Sequence, residues 1–71
     1  MAVVKVIEII AQSPTSWEVA AQEGLREVSK TIRGIQSIYV KDLQAVVEND
    51  AITQYRLNLK LSFLVKDHHE K

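Results

Sequence analysis

Glu48, Asn49 and Asp50 are consecutive, and Asp42 stands six residues before Glu48. Clustered side-chain oxygens suit calcium, which takes six to eight oxygen ligands from carboxylates, carbonyls and water. No EF-hand loop surrounds them, and so short a run equally describes a solvated hairpin turn. A symmetry axis would change the balance by bringing several copies of one carboxylate to a shared point. Asp42, Glu48 and Asp50 are therefore the expected metal ligands. Glu8, set in an otherwise apolar strand face, is either a further ligand or half of a salt bridge.

Arg56 and Lys60 form a basic pair on the polar side of one expected strand. Salt bridges to Asp42 or Glu48 would occupy them. So would an anionic small molecule, because a guanidinium fork matches phosphates and carboxylates. His68-His69 suggests a metal, but adjacent histidines cannot both face one ion from a strand, and no third ligand is fixed nearby. That pair is assigned to a solvated tail, residues 66–71. Ser13, Ser16 and Ser29 lack a histidine or aspartate at plausible geometry, so no nucleophilic catalysis is expected. There is no cysteine, hence no thiol chemistry, disulfide or Cys-ligated zinc. Gly24 and Gly34 make no phosphate-binding loop. Trp17 fits a core or an interface better than a ligand platform.

These groups must be positioned by four elements. Val3 to Ile10 is rich in β-branched residues and forms a strand. Val4, Val6 and Ile10 share one face with Glu8, while Val3, Ile7 and Ile9 share the other with Lys5. A strand apolar on both faces is expected to be central or covered on both sides. Ser13 before Pro14 fits a helix N-cap, with Ser16 as the competing cap. Trp17, Ala21, Leu25, Val28 and Ile32 then recur at helical spacing, predicting about five turns ended by Gly34 as the left-handed residue. Gly24 inside this helix serves close packing. A strand over Ser37 to Val47 places Ile38, Val40 and Val46 on one face and Tyr39, Leu43, Ala45 and Val47 on the other. Glu48-Asn49-Asp50 is the turn. Within Ile52 to Val65, the apolar row Tyr55, Leu57, Leu59, Leu61, Phe63 and Val65 alternates with Gln54, Arg56, Asn58, Lys60 and Ser62, predicting a long strand with one dry face.

The expected fold is α+β, a three-stranded antiparallel sheet wrapped on one helix, as a single domain over residues 1–71. The chain has 46 % hydrophobic and 25 % charged residues, with nine basic and nine acidic side chains. That balance gives no basic footprint for nucleic acid. No apolar run approaches a membrane span, and no secretory signal is visible, so a cytoplasmic location is expected. A chain of this length without disulfide or metal staples commonly gains burial by oligomerising. One helix cannot cover strands so long, and their edges stay open.

Several segments together resemble the dodecin family. They are Lys5-Val6-Ile7-Glu8-Ile9 leading into Ser13-Pro14, the helix end Lys30-Thr31-Ile32-Arg33, a strand starting near Ser37, and the run Tyr55 to Phe63. The resemblance covers nearly the whole chain. It implies a β-α-β-β fold, a homododecamer and a non-catalytic role in binding or storing a small ligand. Typical dodecins sandwich flavin against a tryptophan at the start of the second strand, and hydrogen-bond it with a glutamine after the tyrosine of the third. Here those positions are Ser37 and Arg56. The ligand pocket is thus expected at Ser37, Gln44 and Arg56, without its aromatic stack and with a donor-only group at the flavin edge. The segment Ser13 to Glu18, followed by Ala20-Ala21, and Tyr55-Arg56 are more similar to the calcium dodecins. Calcium is therefore the first expectation, with flavin (riboflavin, FMN or FAD) in a remodelled pocket, or a shell without ligand, as alternatives.

Overall fold

The computed structural model describes residues 3–65; the tail over 66–71, with His68 and His69, lies outside the described residues. The elements are β1 (Val3–Ser13), α1 (Trp17–Ser29), β2 (Ile35–Glu48) and β3 (Ala51–Val65). They form one antiparallel sheet in the order β1-β3-β2, with α1 on one face, so the β-α-β-β arrangement is as expected. The hairpin closes tightly. Glu48 pairs with Ala51, and Asn49 and Asp50 both adopt left-handed backbone, φ 53° and 62°. That is the two-residue turn whose twist matches its flanking strands.

Strand order narrows the expectation drawn from β1. Its two apolar faces suggested a strand either central or covered on both sides; β1 is an edge strand and β3 is central, so the first alternative is excluded. Only one face of β1 is covered by the helix. Ile7, Ile9 and Ala11 pack on the core, whereas Val4, Val6 and Ile10 remain 54 %, 57 % and 66 % exposed. The second apolar row is surface that the single chain leaves uncovered.

The helix is shorter than its periodicity suggested. Ser16, with extended backbone, is the N-cap; its Oγ accepts the Val19 N–H at 3.0 Å. Ser13 instead accepts the Thr15 N–H at 3.0 Å, so Pro14 lies in the connection rather than in the first turn. Helical geometry ends at Ser29, with Lys30 as C-cap. The Val28 carbonyl accepts the Thr31 and Ile32 N–H groups at 3.1 and 2.9 Å, which satisfy it at the helix end, and the Thr31 hydroxyl also donates to it at 3.3 Å. Gly34, at φ +78°, turns the chain into β2 rather than capping α1, and Ile32 leaves the helical stripe.

The buried centre of α1 is Ala20 and Gly24, not the larger residues that marked the stripe. Trp17, Ala21, Leu25 and Val28 flank it, partly buried. Small residues one turn apart let the helix axis approach the sheet. Beneath them, Leu57, Leu59 and Leu61 of β3 form the core, with Leu59 and Leu61 fully buried. A Cβ added at Gly24 would lie 3.1 Å from the Ala11 Cβ and 3.3 Å from Ile9 Cδ1. The alanine methyl cannot rotate away, so the helix would have to lift. Gly24→Val is expected to destabilise the fold by about 1–3 kcal/mol in urea melts, whereas Gln22→Val on the exposed helix face should change it little.

Candidate functional site

The helix-free face of the sheet gathers most of the chain's chemistry, and a bulge in β2 makes this possible. Val40 pairs with Leu59 on the helix side, but the next paired residue is Asp42, opposite Asn58. Lys41 is the extra residue. Unbroken alternation from Val40 would have turned Asp42 to the helix side of the sheet; with the bulge, Asp42 and Gln44 share the open face with Asn58 and Arg56. Leu43, paired with Leu57, turns to the helix side instead. The bulge thus corrects the face assignment expected for β2, which kept Val46 on the same side as Val40 and Ile38.

Two cross-strand pairs, Asp42–Asn58 and Gln44–Arg56, form a block two residues apart along the strands. A recess of about 250 Å³ opens there, flanked by Ile10 and Leu43. Arg56 is oriented by β1, its Nε–H donating to Gln12 Oε1 at 3.0 Å. This contact exists because β1 continues to Ser13, three residues beyond its expected end. Asn58 Oδ1 is buried and has no hydrogen-bond partner among the described residues, an arrangement costing about 1–3 kcal/mol if nothing satisfies it. Asn58 falls in the polar row between Arg56 and Lys60, and nothing in the sequence distinguishes it or Gln12 from solvated side chains.

Glu8 takes the ion-pair alternative. Lys41 Nζ donates to its Oε2 at 3.3 Å. That hydrogen bond and the lysine charge hold the Glu8 carboxyl below its usual range against a weaker opposing effect of desolvation, and Asn58 and Lys60 add to the lowering. A depressed carboxyl pKa contributes stability that is present above the group's ordinary pKa and lost as pH falls through the folded value.

Other expected site residues lie apart. Ser37 pairs with Ser62, and their hydroxyls are hydrogen-bonded. Ser62 is six residues from Arg56 along β3, roughly 20 Å at about 3.3 Å per residue, so one chain does not unite Ser37 with Gln44 and Arg56. Asp42 is separated from Glu48 by a similar span. Glu48 and Asp50 sit exposed at the hairpin tip. Among the described residues no three His, Cys, Asp or Glu side chains converge as a metal site, and no helix is long and apolar enough to cross a membrane. Trp17 bridges elements rather than lining the recess. Its Nε1–H donates to the Gln44 carbonyl at 2.9 Å, and its ring meets Tyr55 edge-on at 4.9 Å.

One consequence concerns pH. In urea melts, Glu8→Gln is expected to lower stability at about pH 7, and the difference from the parent should be smaller at about pH 3. Added salt of about 0.5 M should shrink it at neutral pH. An unchanged difference at both pH values would mean that the Glu8–Lys41 pair contributes nothing through charge.

The sequence model of the Dodecin family matches residues 3–66. A relative, the calcium dodecin of Mycobacterium tuberculosis (strain ATCC 25618 / H37Rv), is 36 % identical over 66 residues, covering 93 % of each chain. A crystal structure of calcium dodecin from that species, described as a calcium-chelating immunodominant antigen with a novel calcium-binding site, aligns with a TM-score of 0.80. Its identity is 33 %, covering 97 % of this chain and 99 % of that one. A mutant T. thermophilus dodecin aligns with a TM-score of 0.89 at 24 % identity, covering 94 % of this chain and all of that one. At that identity the likeness is one of fold.

Proposed function

The chain belongs to the dodecin family, and from that premise we propose that it is a non-catalytic homododecamer that binds calcium. The carrying observation is its 36 % identity to calcium dodecin along nearly the full length of both chains. The exposed apolar row Val4, Val6 and Ile10 supports assembly, because copies packed on one another would bury it. Glu48 and Asp50 support the ion. Both are exposed, and neither has an ion-pair partner among the described residues. Calcium needs more oxygens than one hairpin tip supplies, so tips or neighbouring carboxylates from several copies would complete the site. Asp42 is a weaker ligand candidate, since Arg56 and Lys41 stand beside it on the same face.

Flavin binding through Ser37, Gln44 and Arg56 is the second reading. Gln44 and Arg56 do line one recess, which favours it. Ser37 offers no ring for stacking and would have to come from another copy.

Calcium is expected to raise the melting temperature, and a chelator to reverse the rise; the gain is about 2.7 kcal/mol when the free ion reaches a hundred times its dissociation constant. Asp50→Asn keeps a residue that tolerates left-handed backbone while removing the charge. It should leave the calcium-free melt unchanged and abolish or strongly reduce the response. No calcium response in the parent protein, together with quenching of added riboflavin fluorescence, would replace the ion by flavin.

A further inference from the structure

We infer that the β2–β3 hairpin of one copy docks in the groove between the end of α1 and the end of β3 of a second copy, so that contacts pass from hairpin to groove around a closed ring. The inference rests on the assembly reading and deepens it, by naming which part of one chain meets which part of the next.

The hairpin outruns its support. β1 pairs with β3 only as far as Ser13 and Tyr55. Beyond that pair, residues 46–54 continue as a two-stranded ribbon with no third strand among the described residues. The Thr53 hydroxyl donates to the Val46 carbonyl at 3.3 Å, which ties the strands where their register shifts. Val47 and Ile52 face each other across the ladder and stay 60 % and 53 % exposed; neither joins the core. A two-stranded ribbon on its own is marginal in water, and burying this apolar pair against another surface would steady it.

The opposite end of the sheet offers that surface. A groove of about 690 Å³ opens there, walled by Ile32, Ile35, Phe63, Leu64 and Val65, with Arg33 its one charged residue. Arg33 is exposed and has no ion-pair partner among the described residues, and at the hairpin tip Glu48 has none either. An acidic tip beside an apolar pair matches an apolar groove that carries a cation, and such complementarity fixes the register between partners. β2 separates the two ends by its 14 residues, roughly 43 Å at about 3.3 Å per residue, so no chain fills its own groove. A second copy supplies the hairpin. Each chain carries one hairpin and one groove, and unlike surfaces meeting head to tail close as a ring when the rotation permits. Glu48 goes to the ion pair with Arg33 of the next copy, and the Asp50 carboxylate is left for calcium.

Cross-linking tests the contact directly, because the chain has no cysteine of its own. Gln36→Cys places a thiol at the groove, and Ala51→Cys places one opposite Glu48 at the tip; both positions are exposed and the ion pair is left intact. Full-length protein carrying both changes is treated with a short bismaleimide and run on a denaturing gel. The two thiols stand at opposite ends of β2, so a link between them joins copies. A ladder of covalent multimers ending at the ring size is expected, absent from either single-cysteine variant. In light scattering, Arg33→Glu should raise the concentration at which the particle half-dissociates about tenfold. The exchange Arg33→Glu with Glu48→Arg should recover it, and Arg26→Glu, on the exposed helix face, should leave it unchanged. An intact particle whose chains the bismaleimide does not join, or an exchange no better than Arg33→Glu alone, would overturn the docking and leave assembly standing. A folded single chain in the parent protein would overturn both.

Discussion

A helix of 13 residues lies over a sheet whose strands run 11, 14 and 15 residues, and this mismatch in length governs everything else. At 1.5 Å per residue the helix spans about 20 Å, against a longest dimension of 58 Å for the chain. It covers β1 and the centre of β3, where Leu57, Leu59 and Leu61 are buried. Beyond that footprint Val40, Leu43, Val47 and Ile52 stay exposed, and among the described residues the outer edges of β1 and β2 carry no further strand. Apolar surface left open on this scale is covered by other molecules in stable proteins, and identical copies are the simplest cover.

Within that frame, one inserted residue organises the polar chemistry. The bulge at Lys41 turns Asp42 and Gln44 onto the open face and places Lys41 within reach of Glu8. A β2 without it would carry Asp42 on the helix side of the sheet, in the row of Val40, and would turn Gln44 off the open face. The same irregularity therefore pairs Lys41 with Glu8 and builds the recess at Arg56.

The element order and the dry face of β3 were legible in the sequence because strict alternation from Gln54 to Phe63 admits one interpretation. The turn was equally clear, since Asn49 and Asp50 tolerate the left-handed backbone they adopt. Other features were obscured for physical reasons. Helical periodicity registers large apolar residues, so it marked Trp17, Leu25 and Ile32 and passed over the small pair Ala20 and Gly24 that touches the sheet most closely. Two apolar faces on β1 reported burial in general, and could not distinguish a covering helix from a covering neighbour; the edge position followed from pairing with β3 alone. A bulge has no composition signature, and the faces of β2 were misassigned from Lys41 onward. At the site, Gln44 and Arg56 were placed together only once register was known, and Asn58 gained meaning only when its oxygen proved to be buried.

The fold requires copies of the same chain to shield its uncovered sheet. Light scattering of the purified protein, repeated on dilution to about 1 µM, measures this directly. The predicted particle is near twelve times the chain mass of 8.0 kDa and keeps that mass on dilution. A folded particle of one chain mass, stable and soluble at the same concentration, would contradict it.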